Sequence, residues 1–532
     1  MTLELPKQRD RPKQSAIGVD LKRVFKSDNL NEGWVRTPSR FYPLPDARPA
    51  SEMALADALK GIAPKNTGLA DFDPLLGPFT LDASAESSWA QSLDFLRDIQ
   101  SASIRSAKLS KTWVRQYLSV AESQLQKPNS FFTPSRETST KTDRLIWRAR
   151  RILNSCCYIL PVLDESDDET LSIFWQVLMT DIAKLASPTE TLWASLRDGF
   201  DPLSPRAIWL RAIALVGVEA AIPGLLRTDL IQKSIDQIKT SFQNDGMFVG
   251  GSIMATLAAG ADLCLLTRIH SVEPILARVR TALCTLRAQD GTLVTFGTGA
   301  ADYAHLVSAI IGSRAVKPTT LLLESGIGRL CTSDTTIWLR VPQSDQNLGA
   351  VAQVEVKGGA LLTQSSVIFE TAVNVSQARC KRRDEQDFLM LEVSATLLVD
   401  IGGHASTVNS LRQIRVARNG LLIEGEDMLR LDMAGPARGR PNLGVKEIHF
   451  GIPTTCKCLL SHDKSSVLIV TSQQQAWRFR IQGMDMSVEL RADRNAQSLG
   501  QAAQRIIVCR CLDLQRIGDF RTTWQLVVEE IE

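Results

Sequence analysis

The sequence predicts a multidomain fold in which a set of paired helices, an (α/α) toroid or solenoid, is followed by an antiparallel β-sandwich. Two observations carry that prediction. Apolar residues recur at the helical period from about residue 88 to 314, and after Pro318 they alternate with period two. A run of helices followed by a run of strands segregates the two kinds of element, unlike folds that alternate them. A third observation agrees: 532 residues exceed what one hydrophobic core organises, so more than one domain is expected.

Residues 1–87 are rich in Pro, Gly and polar residues, with PSRFYPLPDARP and DFDPLLGPFTL as the clearest fragments, and predict an arm of short elements that leans on the rest. From Ser88 the character changes. Leu93, Leu96, Ile99, Trp113, Val114, Tyr117 and Leu118 fall at helical spacing with one interruption, before the polar linker KPNSFFTPSRETSTKTD. Helical segments then succeed one another: RLIWRARRILNSCCYIL, DETLSIFWQVLMTDIAKLA, PRAIWLRAIALVGVEAAI, TDLIQKSIDQIKTSFQ, SIMATLAAGADLCLLTRI and VEPILARVRTALCTLR. NDG, QDG and SP signals separate them, and consecutive antiparallel helix pairs of this length build all-α toroids and solenoids. Residues 88–318 are therefore assigned to the helical domain and 319–532 to the sandwich, whose short strands include GAVAQVEVKGGALLTQSSVIFETAV, SLRQIRVARNGLLIEGEDML and QRIIVCRCLDL.

Composition narrows the function. Hydrophobic residues at 44% and charged residues at 22% fit a globular chain rather than a disordered one. A net charge of +3, with no basic stripe interleaved with aromatics, argues against a nucleic-acid partner. No stretch approaches the ~18 apolar residues of a membrane span, and the N-terminal residues lack an apolar signal core. The ten cysteines form no CxxC pair; Cys456/Cys458 and Cys509/Cys511 put both thiols on one strand face, as core residues do. Together these features lead us to expect a cytoplasmic protein without metal or cofactor. Walker A, HExxH and GxSxG patterns are absent, which removes the chemistries they serve.

Five fragments, in order, resemble the bacterial heparinase II/III-like proteins: WAQSLDFLRDIQ, LRAQDGTLVTFGTGA, ESGIGRLCTSDTTIWL, LRQIRVARNGLLIEGEDML and QAWRFR. The resemblance implies an (α/α) toroid stacked on an antiparallel sandwich, and β-elimination on uronic-acid-containing polysaccharides. An acidic polysaccharide or oligosaccharide is then the expected partner. Such a reaction needs a group that neutralises the uronate carboxylate, a base for the C5 proton and an acid for the leaving O4. The family is understood to use Asn, Tyr and His. Carried over residue by residue, the Tyr position reads Ala255, with Thr256 beside it, and the sandwich His reads Gln364. PLSPRAIWLRA stands where an Asn-His pair is expected, and a glutamine cannot act as a general acid or base at neutral pH. The expected catalytic set is thus degenerate, and a non-catalytic binder of glycan or protein is the alternative.

Other residues of suitable chemistry are few. Tyr303 and His305 follow the closing turn of the helical region; at i and i+2 on a helix they do not share a face, so one packed and one exposed residue is the bland reading. His404 lies in the Gly-rich DIGGHAST, as a solvated loop residue or one overhanging a cleft. His449 lies on the strand KEIHFGIP, where some relatives carry a metal-associated His-x-His-Pro; the second His is Gly451 here, so no metal is expected. Lys381, Arg382 and Arg383 either face a polyanion or form a solvated strand edge.

Overall fold

The computed structural model describes residues 112–119, 141–159, 168–186, 204–250, 252–294, 296, 303–312, 316–357, 359–401, 404–431, 445–482, 486–492, 503–511 and 519–529, with short pieces before residue 94. Most of the predicted arm, the linker after residue 125 and the WAQSLDFLRDIQ fragment lie outside the described residues. Two compact units divide the chain: residues 1–242 with 258–276, and residues 243–257 with 277–532.

In the first unit, α1 (Lys141–Asn154) continues into a π-helical turn at Ser155–Ile159, and α2 (Asp168–Ala186), α3 (Pro205–Ala221) and α4 (Thr228–Thr240) follow. Helix α3 starts where Ser204 accepts the Ala207 N–H at 3.3 Å and Pro205 sets the first helical φ. It is apolar around most of its circumference and largely buried, as a central helix must be. Gly217 on α3 lets it approach α1: a Cβ there would stand 3.0 Å from the Leu153 side chain. Arg151 and Asp181 join α1 to α2 through two hydrogen bonds of 2.6 Å, a buried pair whose desolvation offsets much of its attraction. Pieces of the N-terminal stretch dock here, Tyr42 N–H donating to Ala221 O at 2.8 Å and Leu44 N–H to Cys156 O at 3.2 Å. Helices α5 (Ile253–Cys264) and α6 (Glu273–Thr285) each contribute residues to both units, and α7 (Ala304–Ile311) belongs to the second.

Besides these helical residues, the described part of the second unit forms a 16-stranded antiparallel sheet. Its strands are β1 (Leu321–Leu322), β2 (Ile327–Cys331), β3 (Thr335–Arg340), β4 (Gln346–Leu348), β5 (Val351–Val356), β6 (Gly359–Asp384), β7 (Phe388–Ile401) and β8 (His404–Ala417). They continue as β9 (Leu422–Leu431), β10 (Val445–Pro453), β11 (Lys457–Leu460), β12 (Ser466–Val470), β13 (Ala476–Gln482), β14 (Met486–Ala492), β15 (Ala503–Cys511) and β16 (Asp519–Glu529). The main path runs β11-β12-β13-β16-β9-β8-β7-β6-β5-β3-β2-β1, while β10, β15 and β14 branch from β6.

The branch point explains the architecture. The sequence predicts short strands, yet β6 runs for 26 residues. Its first half pairs with β5 and β10 and its second half with β7, with register shifts at Ile368/Phe369 and Val375/Gln377 that bend it between the two sets. The β10 set consequently packs face to face on the main path. Phe450 of β10 meets Phe479 of β13 at 4.6 Å and Trp524 of β16 at 5.2 Å, strands with which it shares no hydrogen-bonded ladder.

Inside that apolar core sits one polar knot. Arg412, 1% exposed, donates from Nη1 to Ala350 O and Ser365 O at 2.7 Å each and lies 3.3 Å from Asp427 Oδ1. Trp524 Nε1 donates to Asp427 Oδ2 at 3.3 Å. The EGED fragment is thereby explained: Asp427 holds Arg412 and Trp524, and Gly425 leaves the space Trp524 fills, since a Cβ there would lie 2.1 Å from the indole. Cys456, Cys458 and Cys509 are buried and unbridged; Cys458 and Cys509 lie on β11 and β15, whereas Cys456 falls in the bend before β11 and not on the strand face that the CxC spacing predicts.

Candidate functional site

Strand β10 sorts its residues by alternation. Ile448, Phe450 and Ile452 enter the core, which leaves Glu447, His449 and Gly451 on the opposite face. Register fixes their neighbours: on β6, Ile368 stands opposite Glu447, Ser366 opposite His449 and Gln364 opposite Gly451. On the other side, β15 places Val508 opposite His449, and β14 beyond it places Glu489 opposite Val508. Gln364 and His449, two of the residues singled out from the sequence, therefore share one face on adjacent strands.

A charged cluster occupies this face. His449 Nε2 lies 2.6 Å from Glu447 Oε1, and the other Glu447 oxygen accepts from Arg491 Nη1 at 3.2 Å. Arg491 Nη2 in turn donates to Glu489 Oε2 at 2.7 Å. Glu447 is 3% exposed, whereas the His449 side chain keeps 25% of its surface open. A carboxylate only accepts, so Nε2 is the donor in this contact, and in the neutral tautomer that fits it Nδ1 carries the lone pair. An imidazole oriented by a buried carboxylate is a proton-transfer group in waiting.

The remaining predicted residues lie elsewhere. Tyr303 is the N-cap of α7, its carbonyl accepting the Val307 N–H at 2.9 Å, so it precedes the helix rather than sharing it with His305. His305 is exposed in the first turn. Neither makes a hydrogen bond or ring contact with His449 among the described residues. His404 is the first residue of β8, paired with Ile401 rather than hung in an open loop; its side chain lies outside the described residues. Arg382 pairs with Asp384 at 2.7 Å and Arg383 with Glu392 at 3.2 Å, so part of the basic run is already neutralised. Thr256, at the position next to the family's tyrosine, is fully buried and its hydroxyl is committed: it donates to Ser252 O at 2.9 Å and accepts the Phe248 N–H at 3.0 Å.

Glu447, Glu489 and Arg491 are absent from the sequence-based set. Their signal was present as E-x-H in KEIHF and E-x-R in VELRA, two period-two repeats that place both charges on one face of a strand. Among the described residues no group of three or more His, Cys, Asp or Glu side chains is arranged to hold a metal ion. No helix of the described residues is long and apolar enough to cross a membrane.

No protein-family model matches the chain, and no curated protein matches its sequence. Solved structures do match. A crystal structure of heparinase III superposes with a TM-score of 0.56 at 11% identity, covering 90% of this chain and 85% of that one. The heparan sulfate lyase HepC from Pedobacter heparinus gives 0.53 at 10% identity, over 92% of this chain and 84% of that one. A mutant of the same lyase gives 0.51 at 12% identity, over 92% and 85%. The chain therefore shares, at a sequence identity that speaks only to fold, the architecture of solved heparinase III and heparan sulfate lyase structures.

Proposed function

We propose that the chain acts on a uronic-acid-containing polysaccharide by β-elimination, with His449 as its proton-transfer group. On this reading residues 88–318 form an (α/α) toroid and 319–532 a β-sandwich. The observation that carries the proposal is the Glu447–His449 contact of 2.6 Å on a sheet face shared with Gln364. In the reaction, Nδ1 of His449 takes the C5 proton, the C5–H electrons form the C4=C5 bond, the C4–O4 electrons leave with oxygen, and the imidazolium returns its proton to that oxygen. Glu447 stabilises the imidazolium formed on the way, and Arg491 holds Glu447 in place.

One observation favours a second reading, in which the chain binds such a glycan without cutting it. Ala255 offers no reactive group and Thr256 spends its hydroxyl on the backbone, so the family's tyrosine has no counterpart there. A single experiment separates the two: incubation with heparan sulfate, chondroitin and alginate while following absorbance at about 230 nm, where the conjugated uronate product absorbs. Rising absorbance supports cleavage. Retention on immobilised glycan without a rise supports binding alone, and neither signal would end both readings.

A further inference from the structure

The same sheet face holds a buried cation for which the described residues supply no carboxylate partner. Arg340, the last residue of β3, is 7% exposed, and its Nε has no hydrogen-bond partner. Among the described residues no carboxylate pairs with it; burial alone lowers its pKa to about 10. Glu355 does not serve, because its carboxylate accepts the Gln289 N–H at 3.1 Å and it stands four residues along β5 from Val351, the partner of Arg340. What does hold Arg340 is an aromatic ring: its guanidinium lies 4.8 Å from the centre of Phe296. Phe296 is itself fixed in an unusual way. Its backbone is left-handed, φ +50°, and its N–H donates to the buried Gln353 Oε1 at 3.1 Å.

Leaving a guanidinium buried and unpaired is costly, and left-handed backbone at a phenylalanine adds to the cost. A surrounding that maintains both keeps a planar cation oriented with its Nε donor uncommitted, which is part of the preparation an oxyanion requires. We infer that Arg340 anchors an oxyanion subsite that takes a carboxylate or sulfate group. That this group belongs to an acidic saccharide rests on the function proposed above; the anion site itself does not. Register supports the connection. Arg340 stands opposite Val351, the next residue Ala352 stands opposite Ser365, and Ser366 stands opposite His449. Arg340 and His449 thus occupy one row of the sheet, three strands apart, about 14 Å at roughly 4.8 Å per strand.

Thermal unfolding of the full chain tests this. Sodium sulfate and sodium glucuronate, compared with chloride at matched ionic strength and with neutral glucose, are expected to raise the Tm of the wild type. Arg340→Met is expected to unfold no earlier than wild type without anion, because an unpaired buried charge has been removed, and to lose the anion response with at least about a tenfold weaker apparent affinity. Arg340→Lys keeps the charge but not the fork and should respond weakly. A response to sulfate without one to glucuronate supports the anion site and contradicts the saccharide reading. Equal anion responses in wild type and Arg340→Met overturn the inference. So does a lower anion-free Tm in both variants, which marks the guanidinium as a structural strut; if Arg340→Met does not fold, Arg340→Lys alone decides on the same criteria.

Discussion

At the scale of single residues, the fold depends on positions where one side chain makes room for another. Gly425 lies under the Trp524 indole, so Gly425→Ala forces the ring out of the core and is expected to cost about 1–3 kcal/mol, read as a lower midpoint of chemical denaturation. Asp427→Ala strands the Arg412 guanidinium and should cost more, about 3–5 kcal/mol by the same measurement. Glu355 makes stability depend on pH. Burial raises its carboxyl from 4.5 to about 7, with Asp290 pushing the same way and the Gln289 N–H and Arg329 opposing. The unfolded chain releases this proton near 4.5 and the folded chain only near 7. Its contribution is therefore fully present below pH 4.5 and is lost as pH rises through about 7. Glu355→Gln keeps an acceptor for Gln289 and should flatten the fall in Tm between about pH 5 and about pH 8; an unchanged pH profile would sink this assignment.

At the scale of elements, the helices from α1 to α6 are legible in the sequence because their contacts are local in period and their ends carry turn signals. The sheet is less so. Nothing in GGALLTQSSVIFETAVNVSQARC announces a 26-residue strand, because the bulges that bend β6 are demanded by two distant sets of partners. His449 and Gln364 could each be singled out, but their meeting depends on the β6–β10 register across 85 positions. Arg340 could not: its contact with the Phe296 ring joins residues far apart in the sequence. Turns matter as much as strands. In the NDG turn Asn244 and Asp245 bond to Glu324 and Ser325 at 2.5–2.8 Å, which is why residues 243–257 group with the sheet. Gly246 there has φ +90°, and a Cβ would stand 2.3 Å from the Arg278 carbonyl oxygen. Gly246→Ala should therefore destabilise by at least about 1–2 kcal/mol, with faster amide exchange around 243–248 as the local sign.

At the scale of the whole molecule, the order of helices before strands is readable from periodicity, and the likeness to heparinase III and heparan sulfate lyase structures matches that order. Chemistry is less portable than fold. The residues inherited by resemblance read Ala255, Thr256 and Gln364, while the groups with suitable geometry are Glu447 and His449, found through the register of one strand. The most direct measurement of the central claim is the initial rate of absorbance increase at about 230 nm on uronate glycans, for wild type beside His449→Gln. Proton transfer by His449 predicts a measurable rate for wild type and a loss of at least about 100-fold in the variant at unchanged Tm. No rate on any of the glycans, or a rate that His449→Gln leaves intact, contradicts it.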